Sequence, residues 1–199
     1  MLSPPMLPQN HWYLIAPSRE LRPGKPLGLK RFGADLVLWR DQAGVAWAQR
    51  DHCPHRSARL SAGKIVGDAV ECPFHGFRFD AQGSCVAAPC EGANGHLRHL
   101  QNQSFALREE HGYLWMWWGE EAPSEDPLPW FDELHASMPY HEQSTVWETS
   151  YQRAVENQLD WAHLPFVHRN SIGIGFPHEL DIQSELEGDQ IYTLSLIHI

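Results

Sequence analysis

The chain is short of everything that a secreted, membrane or nucleic-acid-binding protein relies on. Its amino terminus has no basic stretch followed by an apolar core, so no signal peptide is legible. No apolar run approaches the roughly 20 residues that cross a bilayer. Leu114-Trp115-Met116-Trp117-Trp118 is apolar but far too short. Basic residues are scarce: 15 Lys and Arg stand against 25 Asp and Glu, and a net charge of −10 disfavours nucleic acid and anionic membranes as partners. Only 4 cysteines occur in 199 residues, too few for a disulfide framework. A cytoplasmic protein of one domain, or of two small ones, is expected.

What is present is concentrated in two short strings, Cys53-Pro54-His55 and Cys72-Pro73-Phe74-His75. Each supplies one thiolate and one imidazole, and each is followed at once by a residue that anchors or bends a loop, Arg56 or Gly76. Two soft sulfur ligands and two borderline nitrogen ligands suit a [2Fe–2S] cluster, with the cysteines on one iron and the histidines on the other. Zinc also takes two Cys and two His, but its sites usually pair like with like at wider spacing. Here each string is mixed. Unligated core residues are a third reading, opposed by four metal-avid side chains in two Pro-punctuated turns. Cys85 and Cys90 have no histidine at ligand spacing and read as small buried hydrophobes.

Between Trp12 and Trp118 the pattern is one of short β-rich runs broken by turn signals. Leu36–Trp39 and Val45–Ala48 flank a turn, Phe77-Arg78-Phe79 leads into Asp80-Ala81-Gln82-Gly83, and Gly112–Trp118 reads as a closing strand. The acidic, Pro-rich stretch Glu120–Pro129 reads as a linker or an ordered connector.

A second constellation follows. Asn157, Asp160 and His163 stand at successive i, i+3 positions, so a helix would put them on one face. Pro165 should end or kink that helix and free His168 to turn toward the metal of His163. Two histidines and a carboxylate with open positions are the ligand set of non-haem Fe(II) oxygenases. By itself this spacing is a weak signal, since two histidines near a helix end are commonly surface or core residues.

Cys-Pro-His-Arg and Cys-Pro-Phe-His-Gly-Phe-Arg-Phe-Asp resemble the ligand loops of a Rieske domain. Followed by Asn157, Asp160, His163 and His168, they make residues 10 to 175 resemble the α (oxygenase) subunit of Rieske non-haem iron oxygenases. The vanillate demethylase, dicamba demethylase and pheophorbide oxygenase group is the nearer subgroup. The resemblance implies an all-β Rieske [2Fe–2S] domain over residues 10–119, a linker over 120–139, and over 140–193 the start of an α+β helix-grip (START/Bet v1-like) catalytic domain. Cys53, His55, Cys72 and His75 would hold the cluster, and His163 and His168 a mononuclear non-haem Fe(II). Asp160 would bridge a triad histidine to a cluster histidine, His55 or His75, of the neighbouring subunit. Asn157 would lie near the iron. Phe74, Phe77 and Trp161 would line the interface between subunits or simply pack.

The implied function is an oxygenase component, ring-hydroxylating or O/N-demethylating. Electrons would pass from an NAD(P)H-dependent reductase, with or without a ferredoxin, through the cluster to an iron that activates O2. The implied substrate is small and apolar, aromatic or cyclic, and the implied assembly is a homotrimer. The loops lack the extra cysteines that brace respiratory Rieske loops by a disulfide. A Rieske electron carrier without oxygen chemistry is the alternative, but it would have no use for residues 140–175.

One part of the resemblance is missing. The third iron ligand, an Asp or Glu, is expected far downstream, and Asp181 and Asp189 lie too close to His168. The chain is therefore expected to be a truncated, inactive and poorly soluble piece with an incomplete iron site. The final Leu194-Ser195-Leu196-Ile197-His198-Ile199 matches one reading frame of a sequencing-library adapter, so residues 194–199 are expected to be a scar. A genuine strand from Ile191 to Ile199 is the other reading.

Overall fold

The computed structural model describes residues 7–92, 100–131, 134, 138–179, 181–188 and 190–196. Leu7–Tyr140 form one compact unit and a second begins at His141. Three antiparallel sheets build the first unit. One orders β1 (His11–Pro17), β11 (Tyr113–Trp118) and β10 (Leu107–Glu110). The next orders β2 (Leu27–Arg31), β3 (Ala34–Arg40), β4 (Ala46–Arg50) and β9 (Ser104–Phe105). The last orders β5 (Lys64–Val66), β6 (Ala69–Glu71), β7 (Arg78–Phe79) and β8 (Cys85–Ala87).

Strand β3 explains how the layers hold together. Its side chains alternate between faces, and both faces are buried. Leu36 and Leu38 pack with Ile15, Leu114 and Met116 on one side. Val37 and Trp39 pack with Leu60, Val70, Phe77 and Phe79 on the other. That double burial is why Leu36–Trp39 is a continuous apolar run rather than an alternating one. Burying each such side chain contributes about 1.5–3 kcal/mol.

The expected hairpin forms between β3 and β4, with Trp39 opposite Trp47. Asp41 shapes its turn. One carboxylate oxygen accepts from the Val45 amide at 2.9 Å and the other from the Trp47 indole at 2.9 Å. The indole donor is the main cause that holds the Asp41 carboxyl below its usual range. The turn at Asp80–Gly83 likewise joins β7 to β8.

The acidic stretch after Trp118 is strapped to the first sheet. Ser124 O accepts from the Trp12 indole at 2.9 Å, Glu121 O from the Trp117 indole at 2.9 Å and Asp126 O from Arg108 Nη1 at 2.8 Å. Leu128 is buried, and Trp130 stacks on His111 with ring centroids 4.4 Å apart. Prolines suit such a strap, because it donates few backbone bonds of its own.

The second unit contains α1 (Tyr151–Leu159), α2 (Leu164–Val167) and the hairpin of β12 (Asp181–Glu187) and β13 (Gln190–Leu196). Ser150 caps α1, its hydroxyl accepting from the Arg153 amide at 3.4 Å. Val146, Leu159, Ile172 and Leu186 are exposed. Leu194–Leu196, half of the hexapeptide expected to be a scar, pair with Asp181–Gln183 in the hairpin. Residues 197–199, and Asp189, lie outside the described residues. Among the described residues no helix is long and apolar enough to cross a membrane.

Candidate metal centre

Two loops of the first unit share one backbone design. In the loop after β4, the Cys53 amide donates to Ala58 O at 2.8 Å and the Ser57 amide to Cys53 O at 2.7 Å. In the loop between β6 and β7, the Cys72 amide donates to Phe77 O at 2.8 Å and the Gly76 amide to Cys72 O at 3.1 Å. The fourth residue after each cysteine is left-handed, Ser57 at φ 55° and Gly76 at φ 75°. Each loop thus closes on its own cysteine, with the histidine carried on the bend.

The loops bring their ligand-type side chains together. The His55 and His75 rings lie 4.8 Å apart at 65°. Cys53 and Cys72 are both buried, and all 4 cysteines are free thiols. Burial, then the neighbouring Cys72 sulfur, pushes the Cys53 thiol up to about 11, while the His55 and Arg56 amides pull the other way. A cation joining the two sulfurs would offset what burial and the neighbouring sulfur cost the Cys53 thiolate. Nδ1 of His55 is buried with no hydrogen-bond partner. An orphaned buried acceptor or donor costs about 1–3 kcal/mol, which a metal at this ring would remove. The four side chains therefore fit a [2Fe–2S] cluster. Among the described residues no three His, Cys, Asp or Glu side chains converge as a mononuclear site requires. Two ligands for each of two irons is a different demand.

Neighbouring residues divide between the two expected readings. Phe77 is core, only 1% exposed, and its ring lies 4.8 Å from that of His55, so it cannot line a subunit interface. Phe74 is 61% exposed and leans on His75, ring centroids 4.1 Å apart. Trp161 is also exposed. Cys85 is buried as expected, but Cys90, in the 3₁₀ turn Pro89–Glu91, is exposed.

In the second unit the expected helix is interrupted. α1 stops at Leu159, and Asp160 turns extended at φ −85°, ψ 99°. Pro165 is not what ends it. The cause is Asp160 itself, whose carboxylate accepts from the Ala162 amide at 2.9 Å and so competes with helix bonding. Pro165 instead sits in the first turn of α2, where its missing donor costs nothing. Asn157, Asp160 and His163 consequently do not share one helical face. Asn157 is an exposed residue of α1.

His163 and His168 still meet, with ring centroids 5.2 Å apart. On an unbroken helix residues five apart would point about 140° away from each other. Here they flank the single turn of α2, and the chain folds back over it. The Ser171 and Gly173 amides both donate to His168 O at 2.9 Å. A Cβ on Gly173 would lie 2.1 Å from Leu164 O, so only glycine allows this return. Nδ1 of His163 is buried without a hydrogen bond and faces Asp160 Oδ2 at 3.6 Å, within ion-pair range but beyond hydrogen-bond reach. Sequence reasoning assigned no role to Gly173, nor to the carboxylates of Asp51 and Glu71 beside the two loops. Their proximity to Cys53 and Cys72 was the available signal.

Comparison with known proteins finds matches to two family domains. Residues 11–105 match the Rieske [2Fe-2S] domain, and residues 147–193 match the vanillate O-demethylase oxygenase C-terminal domain. The chloroplastic protein TIC 55 of Pisum sativum is 32% identical over 163 residues, 80% of this chain and 29% of that protein. The vanillate O-demethylase oxygenase subunit of Pseudomonas sp. (strain HR199 / DSM 7063) is 29% identical over 195 residues, 94% of this chain and 52% of that protein. The crystal structure of dicamba monooxygenase bound to 3,6 dichlorosalicylic acid superposes with TM-score 0.72 at 30% identity, over 94% of this chain and 55% of that one. The chain thus spans about half the length, or less, of these relatives. It belongs to the Rieske non-haem iron oxygenase family, in the vanillate and dicamba demethylase-like group, and carries the family's Rieske [2Fe–2S] domain.

Proposed function

We propose that this chain provides the electron-input part of an oxygenase component that hydroxylates or demethylates a small apolar, aromatic or cyclic substrate. The carrying observation is the meeting of His55 and His75 beside the buried thiols of Cys53 and Cys72. Cys53 and Cys72 hold one iron, and His55 and His75 the other. When bound, the cluster stores one electron and a mononuclear iron supplies O2 activation. His163 and His168 hold that second metal. Asp160 orients His163, the role of a carboxylate behind a ligating imidazole, and Asn157 lies on the helix leading to the site. Electrons come from an NAD(P)H-dependent reductase, directly or through a ferredoxin. The same reading places Asp160 of one subunit toward a cluster histidine of the next, hence a homotrimer, and a cytoplasmic location.

Metal and sulfide analysis of the purified protein, with electron paramagnetic resonance after reduction, tests this. Two irons with acid-labile sulfide per chain are expected for the cluster, and a third iron in an assembly that contains this chain reports the His163–His168 site. Zinc without sulfide overturns the reading. A cluster whose third iron never binds, in any assembly that contains this chain, favours an electron carrier instead.

A further inference from the structure

Each candidate ligand loop is closed at its base by a side chain that lies outside the Cys and His motif. Asp51 stands just before the first loop and Ser61 just after it. One Asp51 oxygen accepts from the Ser61 amide at 2.7 Å and the other from the Ser61 hydroxyl at 2.5 Å. The Asp51 amide donates to Asp35 O at 2.9 Å, so the clamp is anchored on β3. Asp51 is only 5% exposed and has no ion-pair partner among the described residues. Strand β2 covers it so tightly that a Cβ on Gly28 would lie 2.7 Å from Ser61 Oγ.

The second loop repeats the device with different chemistry. Glu71 and Arg78 are cross-strand partners in β6 and β7, and everything between them is loop. Glu71 Oε2 accepts from Arg78 Nε at 2.7 Å, while Oε1 takes Lys64 Nζ at 3.2 Å. Burying a carboxylate is expensive unless its acceptors are satisfied. Asp51 is buried and Glu71 part-buried, and two such carboxylates, each spanning one loop, are an arrangement that plain packing would not need.

We infer that Asp51–Ser61 and Glu71–Arg78 are positioning clamps that pre-form the two loops for cluster binding, which rests on the Rieske reading above. Neither pair belongs to the four candidate ligands. The clamps act through Cys53, His55, Cys72 and His75, whose separation they fix before any metal arrives. Metal sites are tuned through such outer contacts as much as through their ligands.

The test uses the full chain carrying Asp51→Ala, Asp51→Asn, Ser61→Ala or Glu71→Ala, with Glu109→Gln as a control that breaks an ion pair elsewhere. Iron and sulfide content, the resonance spectrum of the reduced protein, its reduction potential and amide exchange of the metal-free protein are measured. Asp51→Ala and Glu71→Ala are expected to load several-fold less cluster and to shift the spectrum. In Asp51→Ala the Ser61 amide of the metal-free protein should exchange at least tenfold faster. Asp51→Asn, which still accepts from that amide, should recover most of the loading, and Glu109→Gln should load fully. Should Asp51→Ala fail to fold, Asp51→Asn and Ser61→Ala decide the matter. Full loading with an unchanged spectrum and potential in the clamp variants, or an equal loss in Glu109→Gln, overturns the proposal while the Rieske reading stands. A wild-type protein without iron and sulfide overturns both.

Discussion

The imidazoles of His55 and His75 sit 4.8 Å apart at the bends of two loops of matching backbone design. On the proposed ligation each iron depends on both loops, so losing one ligand should empty the whole site rather than half of it. Cys72→Ser and His75→Ala are each expected to abolish the reduced-state resonance and to lower iron and sulfide together. A variant that loses one iron but keeps sulfide would contradict the assignment.

Arg40 and Glu109 form a two-pronged pair, with both contacts at 2.7 Å. The hydrogen bond from Arg40 is the main cause that holds the Glu109 carboxyl below the usual range, against the opposing effect of burial. A depressed carboxyl stabilises the fold fully above its unfolded value, about 4.3. That contribution fades as pH falls through the lower folded value. Acid unfolding followed by tryptophan fluorescence should therefore steepen below about pH 4.3. Glu109→Gln should remove that part of the slope and leave neutral pH less stable than wild type.

Ser57 holds a left-handed backbone at φ 55° where the matching position of the second loop has Gly76. An L-residue with a side chain is strained there by about 1–2 kcal/mol, and glycine is not. After glycine's greater loss of chain entropy, Ser57→Gly should stabilise the first unit by about 0.5–1 kcal/mol. Thermal unfolding checks the sign. A lower midpoint would mean that the Ser57 side chain supplies something its backbone strain conceals.

Asp160 lies 3.6 Å from Nδ1 of His163. If it orients that ring, Asp160→Asn should weaken iron binding at the His163–His168 site by about 10–100-fold. The [2Fe–2S] content should not change. Iron titration with chelator competition separates the two sites, and equal loss from both would point to misfolding.

Leu36 is fully buried in the core between the first two sheets. Leu36→Ala should cost about 2–5 kcal/mol, with the higher end applying if the sheets cannot close on the cavity. Denaturant unfolding of the first unit reads this directly.

Much of the fold was legible in local sequence. The Leu36–Trp39 and Val45–Ala48 hairpin, the Asp80–Gly83 turn and the strand ending at Trp118 all form. Each is signalled by neighbours in sequence, and turn chemistry and side-chain alternation are local. The helix through Asn157, Asp160 and His163 was misread because Asp160 satisfies the Ala162 amide with its own side chain. Spacing alone does not reveal that competition. Cys90 was misplaced for a similar reason, since exposure is a property of neighbours that the sequence does not display.

The sequence by itself determined the chemistry. Two Cys and two His in two short, mixed strings narrow the metal to an iron–sulfur cluster or zinc, because donor softness belongs to the side chains alone. What only the tertiary structure decided is how those donors meet. Val37 and Trp39 of one sheet pack with Val70, Phe77 and Phe79 of another, in the same core cluster as Cys53 and Cys72, and so bring the two loops together. Asp51, Ser61, Glu71 and Arg78 then close them. A single turn of helix capped by the two residues themselves brings His163 to His168. Bond angles and hydrogen bonds across distant segments fix these approaches, and no reading of spacing along one strand or helix contains them.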